Sequence, residues 1–172
     1  MMTESDVGEV LDRLDAAGIE AWLDGGWGVD ALLGEQTRPH TDLDLVVRVD
    51  DVAEMRRTLA VDGFRLVTGE PASNFVLRDE RGREIDVHPV RFDDAGDGIY
   101  RMDSGDDWVF PAAGFTGIGR LGSRPVRCLT AEVQMIDHGT GYEPGDTDFH
   151  DMHLLNARLG TRLLPPYDRP RR

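Results

Sequence analysis

Helical and strand periodicities alternate along this chain, and they predict a single α/β domain carrying a small helical appendage. Three observations support that class. Apolar residues recur at helical spacing in Val7, Val10, Leu11 and Leu14, and again in Val52, Met55 and Leu59. Apolar and polar residues alternate through His40-Thr41-Asp42-Leu43-Asp44-Leu45-Val46-Val47 and through Glu84-Ile85-Asp86-Val87-His88. The length, 172 residues with 40% hydrophobic content, suits one compact core.

The elements follow in order. Thr3-Glu4-Ser5-Asp6 opens the first helix as a capping box, and Gly18 ends it. Ile19 to Leu23 reads as a strand, and Gly25-Gly26 as a turn into a short helix, Trp27–Leu33, stopped near Gly34. The Asp-x-Asp strand runs to Val49, and Val52 to Ala60 is a second long helix. Phe64–Thr68 and Phe75–Arg78 are strands, and Asp79-Glu80-Arg81-Gly82 is a hairpin turn leading into Glu84–His88. Asp93 to Gly122, rich in Gly and Asp, is expected to hold loops and short strands anchored by Trp108, Phe110 and Phe115. A strand around Pro125–Leu129 and helices over Thr130–His138 and Thr147–Leu159 complete the chain, before a tail from Leu164 to Arg172 that is expected to be mobile.

Charge and cysteine content narrow the function. Nineteen basic against 33 acidic residues give a net charge of −14. That field repels nucleic acid and anionic membrane and attracts cations, so ATP would enter with its metal. The single cysteine, Cys128, allows no internal disulfide and fits the cytoplasm. It reads as a small buried residue rather than a nucleophile. No stretch has a signal peptide's pattern or transmembrane length.

The chemistry concentrates on two strands. Residues i and i+2 of a strand share a face, so Asp42 and Asp44 present paired carboxylates while Leu43 and Leu45 face the other way. Paired like charges repel unless a cation sits between them, and a hard divalent ion such as Mg²⁺ takes oxygen ligands. Just upstream, Asp24-Gly25-Gly26 precedes a helix whose free N–H groups suit a phosphate. A phosphate cradle followed by a metal-binding strand suggests a nucleoside triphosphate with its metal. Glu84, Asp86 and His88 share a face of a later strand. If that strand lies beside the Asp-x-Asp strand, three carboxylates meet.

The assembled strings resemble the polymerase-β-like nucleotidyltransferase superfamily. Trp22 to Asp30, Arg38-Pro39-His40-Thr41-Asp42, Ile85-Asp86-Val87-His88-Pro89-Val90, Trp108-Val109-Phe110 and Pro125-Val126-Arg127-Cys128 look like small antibiotic nucleotidyltransferases. The lincosamide nucleotidyltransferases are the nearest match, supported by Gly141-Tyr142 ahead of Asp146 to Asp151; the aminoglycoside 2″-nucleotidyltransferases are similar too. The resemblance spans about Trp22 to Leu159. It implies an α+β fold with a mixed, mostly antiparallel sheet, flanking helices and a small C-terminal helical part. Residues 1–128 would form the nucleotidyltransferase domain and 129–172 the helical part and tail. It also implies transfer of a nucleoside monophosphate, usually AMP, from ATP or another triphosphate to a drug hydroxyl.

In-line attack on an α-phosphorus builds charge on the attacking and leaving oxygens, which two metals about 4 Å apart stabilise. Asp42 and Asp44 suit two Mg²⁺ ions. Asp86 suits either a metal ligand or the base that takes the hydroxyl proton, with Glu84 and His88 as alternatives. Asp24, Gly25, Gly26, Arg38 and His40 are candidates for nucleotide contact. Tyr100 and Trp108, with Glu84 and His88, are candidates for the acceptor pocket. His150 and His153 with nearby Asp148 and Asp151 could hold a transition metal, although a solvated helix face is the expectation. A small transferase could complete its acceptor cleft as a homodimer. The competing readings are transfer to a protein or RNA target, as in some toxins, and a non-catalytic nucleotide-binding module.

Overall fold

The computed structural model describes residues 1–102, 104–140 and 143–169. The Gly141-Tyr142 string and the arginines at 171 and 172 lie outside them. Five α-helices accompany nine strands of one mixed sheet among these residues. The first helix, α1 (Glu4–Ala16), carries the expected capping box from Thr3 and Asp6. Then come β1 (Ala21–Asp24), α2 (Gly25–Leu33), β2 (Asp42–Arg48), α3 (Val52–Ala60), β3 (Arg65–Gly69), β4 (Phe75–Arg78) and β5 (Glu84–Phe92). The remainder is β6 (Gly98–Arg101), β7 (Asp107–Phe110), β8 (Gly117–Leu121), β9 (Arg124–Cys128), α4 (Ala131–Asp137) and α5 (Asp146–Leu159). No described helix is long and apolar enough to cross a membrane.

The sheet runs β3-β4-β5-β2-β1-β9-β8, with β6 and β7 continuing from the far end of β5. Most neighbours are antiparallel; β2–β5 and β1–β9 are parallel. Parallel neighbours require a crossover connection, and α3, β3 and β4 supply it between β2 and β5. The strand carrying Asp86 thus lies directly beside the strand carrying Asp42 and Asp44.

Two boundaries differ informatively from expectation. The Gly25-Gly26 pair is not a turn ahead of a helix; it is the first turn of α2, which begins where β1 stops. Gly25 takes φ +55°, a conformation only glycine adopts cheaply, and this lets strand pass to helix without a linker. Second, β5 does not end at His88 but continues through Pro89 to Phe92. Its outer edge pairs with β4 over Glu84–Val87 and with β6 from Val90 onward. Pro89 falls where the partner changes, so its missing N–H breaks no ladder on that side.

The sheet's two faces divide core from site. Leu43, Leu45 and Val47 of β2, with Ile85 and Val87 of β5, pack under the apolar stripes of α1 and α3. The opposite face carries Trp22 and Asp24, Asp42, Asp44 and Val46, and Glu84, Asp86 and His88, by the period of two. A second apolar cluster, Trp22, Val46, Val90, Phe110, Leu129 and Val133, forms beside the carboxylates on that face. A third joins α2, α4 and α5. It includes Tyr167, from the segment expected to be mobile. That ring is buried against Phe149, and its hydroxyl donates to the His138 carbonyl. An aromatic ring with a buried hydroxyl partner docks the chain here.

Candidate active site

Strand register builds the centre. Asp24 stands opposite Asp44 across the antiparallel β1–β2 pair, and Asp44 stands opposite Asp86 across the parallel β2–β5 pair. Three aspartates from three adjacent strands therefore form one row. Asp42 opposes Glu84 and Val46 opposes His88 in the same ladder. The row faces a cleft of about 280 Å³ that Gly25, Gly26, Arg38, His40, Asp42, His88, Asp137, His138 and Asp148 also line.

Electrostatics follow from this crowding. Burial pushes the Asp44 carboxyl well above the usual range, and Asp42, Asp24, Asp86 and Asp137 push it in the same direction. Asp44, Asp86 and His88 can bring one ligand atom each within 4.8 Å of one another. A crowded set with two carboxylates fits a divalent cation, whose charge removes the repulsion. Asp42 lies on the same face, one strand repeat away, and outside that trio.

The glycines make room for this centre. A Cβ on Gly25 would overlap the Asp44 carboxylate, and one on Gly26 would overlap the His40 ring and crowd Arg38 Nη2. Asp24 caps α2, accepting from Gly25 N–H at 2.8 Å. His40 is buried, paired through Nε2 with buried Asp30 and packed 4.6 Å from the core ring of Trp27. Thr37 donates to the other Asp30 oxygen from its backbone N–H at 3.0 Å and from its hydroxyl at 2.6 Å. Arg38 is forked onto buried Asp151, with Nε 3.0 Å from Oδ1 and Nη2 2.6 Å from Oδ2.

A larger cavity of about 450 Å³ adjoins the cleft and shares Asp24, His88 and Asp137 with it. Tyr100, Trp108 and Phe110 line it, with Asn74, Met102, Ser104 and Thr140. Tyr100 and Trp108 face each other across the β6–β7 ladder. The Trp108 Nε1 is buried with no hydrogen-bond partner among the described residues.

Most sequence candidates converge here. Glu84 does not: it lines neither cavity, because Arg78 holds it at 2.8 Å across the β4–β5 hairpin. Glu84 thus points to Arg78 at the sheet surface, beside the row of aspartates. His150 and His153 are exposed, and their acidic neighbours turn inward instead, Asp151 to Arg38 and Asp148 to His138 Nδ1 at 2.9 Å. Cys128 is buried, with its thiol pushed up to about 12, as a packing residue would be.

Residues the sequence did not single out are Asn74, Asp137 and His138. Asp137 is pushed up to about 8 by burial and by Asp24. Burial alone would lower His138, yet its hydrogen bond to Asp148 and the surrounding carboxylates leave it raised. Asp137 and His138 end α4, far in sequence from β1, and no local pattern ties them to Asp24. For Asp148 and Asp151 a signal existed: their i, i+3 spacing shares a helix face with apolar Met152 and Leu155, not with the histidines.

A mixed sheet that sets an Asp-x-Asp strand beside a third aspartate, under a glycine-opened helix and next to an acceptor-sized cavity, defines a nucleotidyltransferase. Comparison with known proteins gives the family. The aminoglycoside-2″-adenylyltransferase model matches residues 6–155, and the chain belongs to that family. It is 29% identical to a lincosamide resistance protein of Staphylococcus haemolyticus, over 91% of this chain and 96% of that one. It is 31% identical to a 2″-aminoglycoside nucleotidyltransferase of Klebsiella pneumoniae, over 91% and 84%. The crystal structure of a lincosamide antibiotic adenylyltransferase with lincomycin bound superposes with a TM-score of 0.80, at 29% identity, covering 91% of this chain and 98% of that one.

Proposed function

We propose that this enzyme moves AMP from ATP to a hydroxyl of a lincosamide- or aminoglycoside-type drug, with pyrophosphate leaving. The observation that carries the reading is that two neighbouring cavities share three lining residues. The carboxylate cleft is built for a metal-bound triphosphate, and the aromatic-walled cavity that shares Asp24, His88 and Asp137 with it suits a drug. The match to the lincosamide relative over nearly its full length favours a lincosamide. The acidic walls and the −14 charge suit a cationic drug of either class.

Roles follow from position. Asp42, Asp44 and Asp86 would hold Mg²⁺, with two ions in the full reading. When bound, the metal supplies positive charge against the triphosphate and the oxygens that exchange at phosphorus. Backbone N–H groups around Gly25 and Gly26 approach the phosphates because no Cβ intervenes. Arg38 and His40, held by Asp151 and Asp30, direct cationic or N–H donors toward phosphate oxygens. Asp86, on the strand nearer the second cavity, takes the proton of the drug hydroxyl as its oxygen bonds to the α-phosphorus. The bond from that phosphorus to the bridging oxygen breaks, and pyrophosphate carries the electron pair away. Tyr100, Trp108 and His88 wall the acceptor. Residues 1–128 carry this chemistry, and the helical part after residue 128 closes the cleft. We place the reaction in the cytoplasm, where the lone Cys128 stays reduced.

The test is a panel of both drug classes incubated with ATP and Mg²⁺ and read by mass spectrometry. A drug heavier by one AMP supports the proposal. AMP on a macromolecule, or no transfer to any drug, would overturn it.

A further inference from the structure

Asp86 is not alone on its strand. Asn74, the residue before β4, donates from Nδ2 to Asp86 Oδ1 at 2.6 Å. The same nitrogen lies 3.4 Å from His88 Nδ1. An ionised carboxylate only accepts, so the nitrogen of the amide is the end that meets Asp86. The His88 ring nitrogen therefore faces the same amide nitrogen that meets Asp86. His88 Nε2 is in turn 4.0 Å from Asp86 Oδ1. One amide thus engages both the carboxylate and the imidazole at the seam between the two cavities.

The loop that presents Asn74 is tied at several points. Glu70 N–H donates to the Asn74 carbonyl at 2.9 Å, and Ser73 N–H donates to the Glu70 carbonyl at 2.8 Å. Ser73 Oγ donates to the Arg101 carbonyl of β6 at 2.9 Å, bracing the loop across β5. Gly69, at φ +83°, passes so close to the Asn74 carbonyl that any Cβ there would overlap it. The next residue, Phe75, is fully buried in the core. Asn74 is therefore held by backbone bonds on one side and by an anchored ring on the other.

We propose that Asn74 is a positioning residue for Asp86. It occupies Oδ1, so Oδ2 is the oxygen presented to the acceptor hydroxyl. This rests on the reading of Asp86 as proton acceptor.

The experiment compares Asn74→Leu, Asn74→Ser, Asp86→Asn and the Asn74→Leu/Asp86→Asn double variant. Asn74→Leu keeps volume and removes the donor. It lowers kcat on the order of 10–100-fold, the scale of a misplaced reacting group, with both KM values little changed. Asn74→Ser, which keeps a hydroxyl donor, recovers part of the rate. Added to Asp86→Asn, the Leu substitution costs nothing further, because the two act as one unit. Unchanged kcat in Asn74→Leu beside an inactive Asp86→Asn overturns the role of Asn74 alone. Normal turnover in Asp86→Asn overturns the proton-acceptor reading itself. A loss of ATP binding or of melting temperature matching the lost activity would make Asn74 merely structural, which also overturns the proposal.

Discussion

Asp44 and Asp86 stand opposite each other in register on the parallel strands β2 and β5, at the rim of a cleft whose other wall is Asp137 at the end of α4. Repulsion among these groups separates what function needs from what stability prefers.

Replacing Asp44 with Asn keeps the side-chain shape and removes an ionisable group whose charged form its surroundings disfavour. Turnover is expected to fall below detection, while the metal-free protein melts at a higher temperature, because burial and four carboxylates disfavour the charged form. Thermal melts with and without Mg²⁺ check this. Near-normal turnover in Asp44→Asn would remove it from the metal site.

Stability should fall as pH rises in the metal-free protein. Asp137 is raised from 3.8 to about 8, so between those values the folded state binds a proton that the unfolded state has lost. Stability is then greatest near the lower value and declines through the window. His138, raised above 6.5, acts in the same direction from there upward. Asp137→Asn should flatten the decline and raise the melting temperature more at pH 8.5 than at pH 5.5. An unchanged slope would show that other carboxylates set it.

Gly25→Ala should damage both fold and site. Its φ of +55° strains any side chain, at about 1–3 kcal/mol, and the added methyl group displaces the Asp44 carboxylate. Loss of Mg²⁺-dependent activity larger than the stability loss explains is the expected result. Gly34→Ala, at φ +74° with open space around it, is the control for strain without intrusion.

Arg38 depends on Asp151. Asp151 is 1% exposed and Arg38 partly exposed, so Asp151→Asn should cost about 1.5–2 kcal/mol, the lower part of the range for a charge-assisted bond. ATP affinity measured by calorimetry should weaken as well, because the guanidinium loses its orientation. An unchanged affinity would assign the pair to helix docking alone.

Trp108→Ala should weaken acceptor binding on the order of tenfold and leave ATP binding alone, since Trp108 lines the second cavity and not the carboxylate cleft. Equal loss of both ligands would mean that the two cavities do not divide the substrates.

The local elements were legible because each depends on neighbouring residues. The capping box at Thr3, the period-two run through Asp42 and Asp44 and the stop at Gly160 are short-range patterns, and all appear in the fold. The shared face of Asp42, Asp44 and Asp86 followed from strand period plus a guess at adjacency. Sequence pattern alone left open which strand neighbours β2, where Pro89 sits relative to its partners, and whether the chain near Tyr167 docks. Those depend on crossovers and on helix packing between residues far apart along the chain. Tertiary structure likewise decided that Glu84 turns to Arg78, that Asp137 and His138 close the cleft, and that Asn74 reaches Asp86. A side chain's local periodicity states which face it occupies; only the packing of distant segments determines which group it meets there, and hence its charge and its hydrogen bonds.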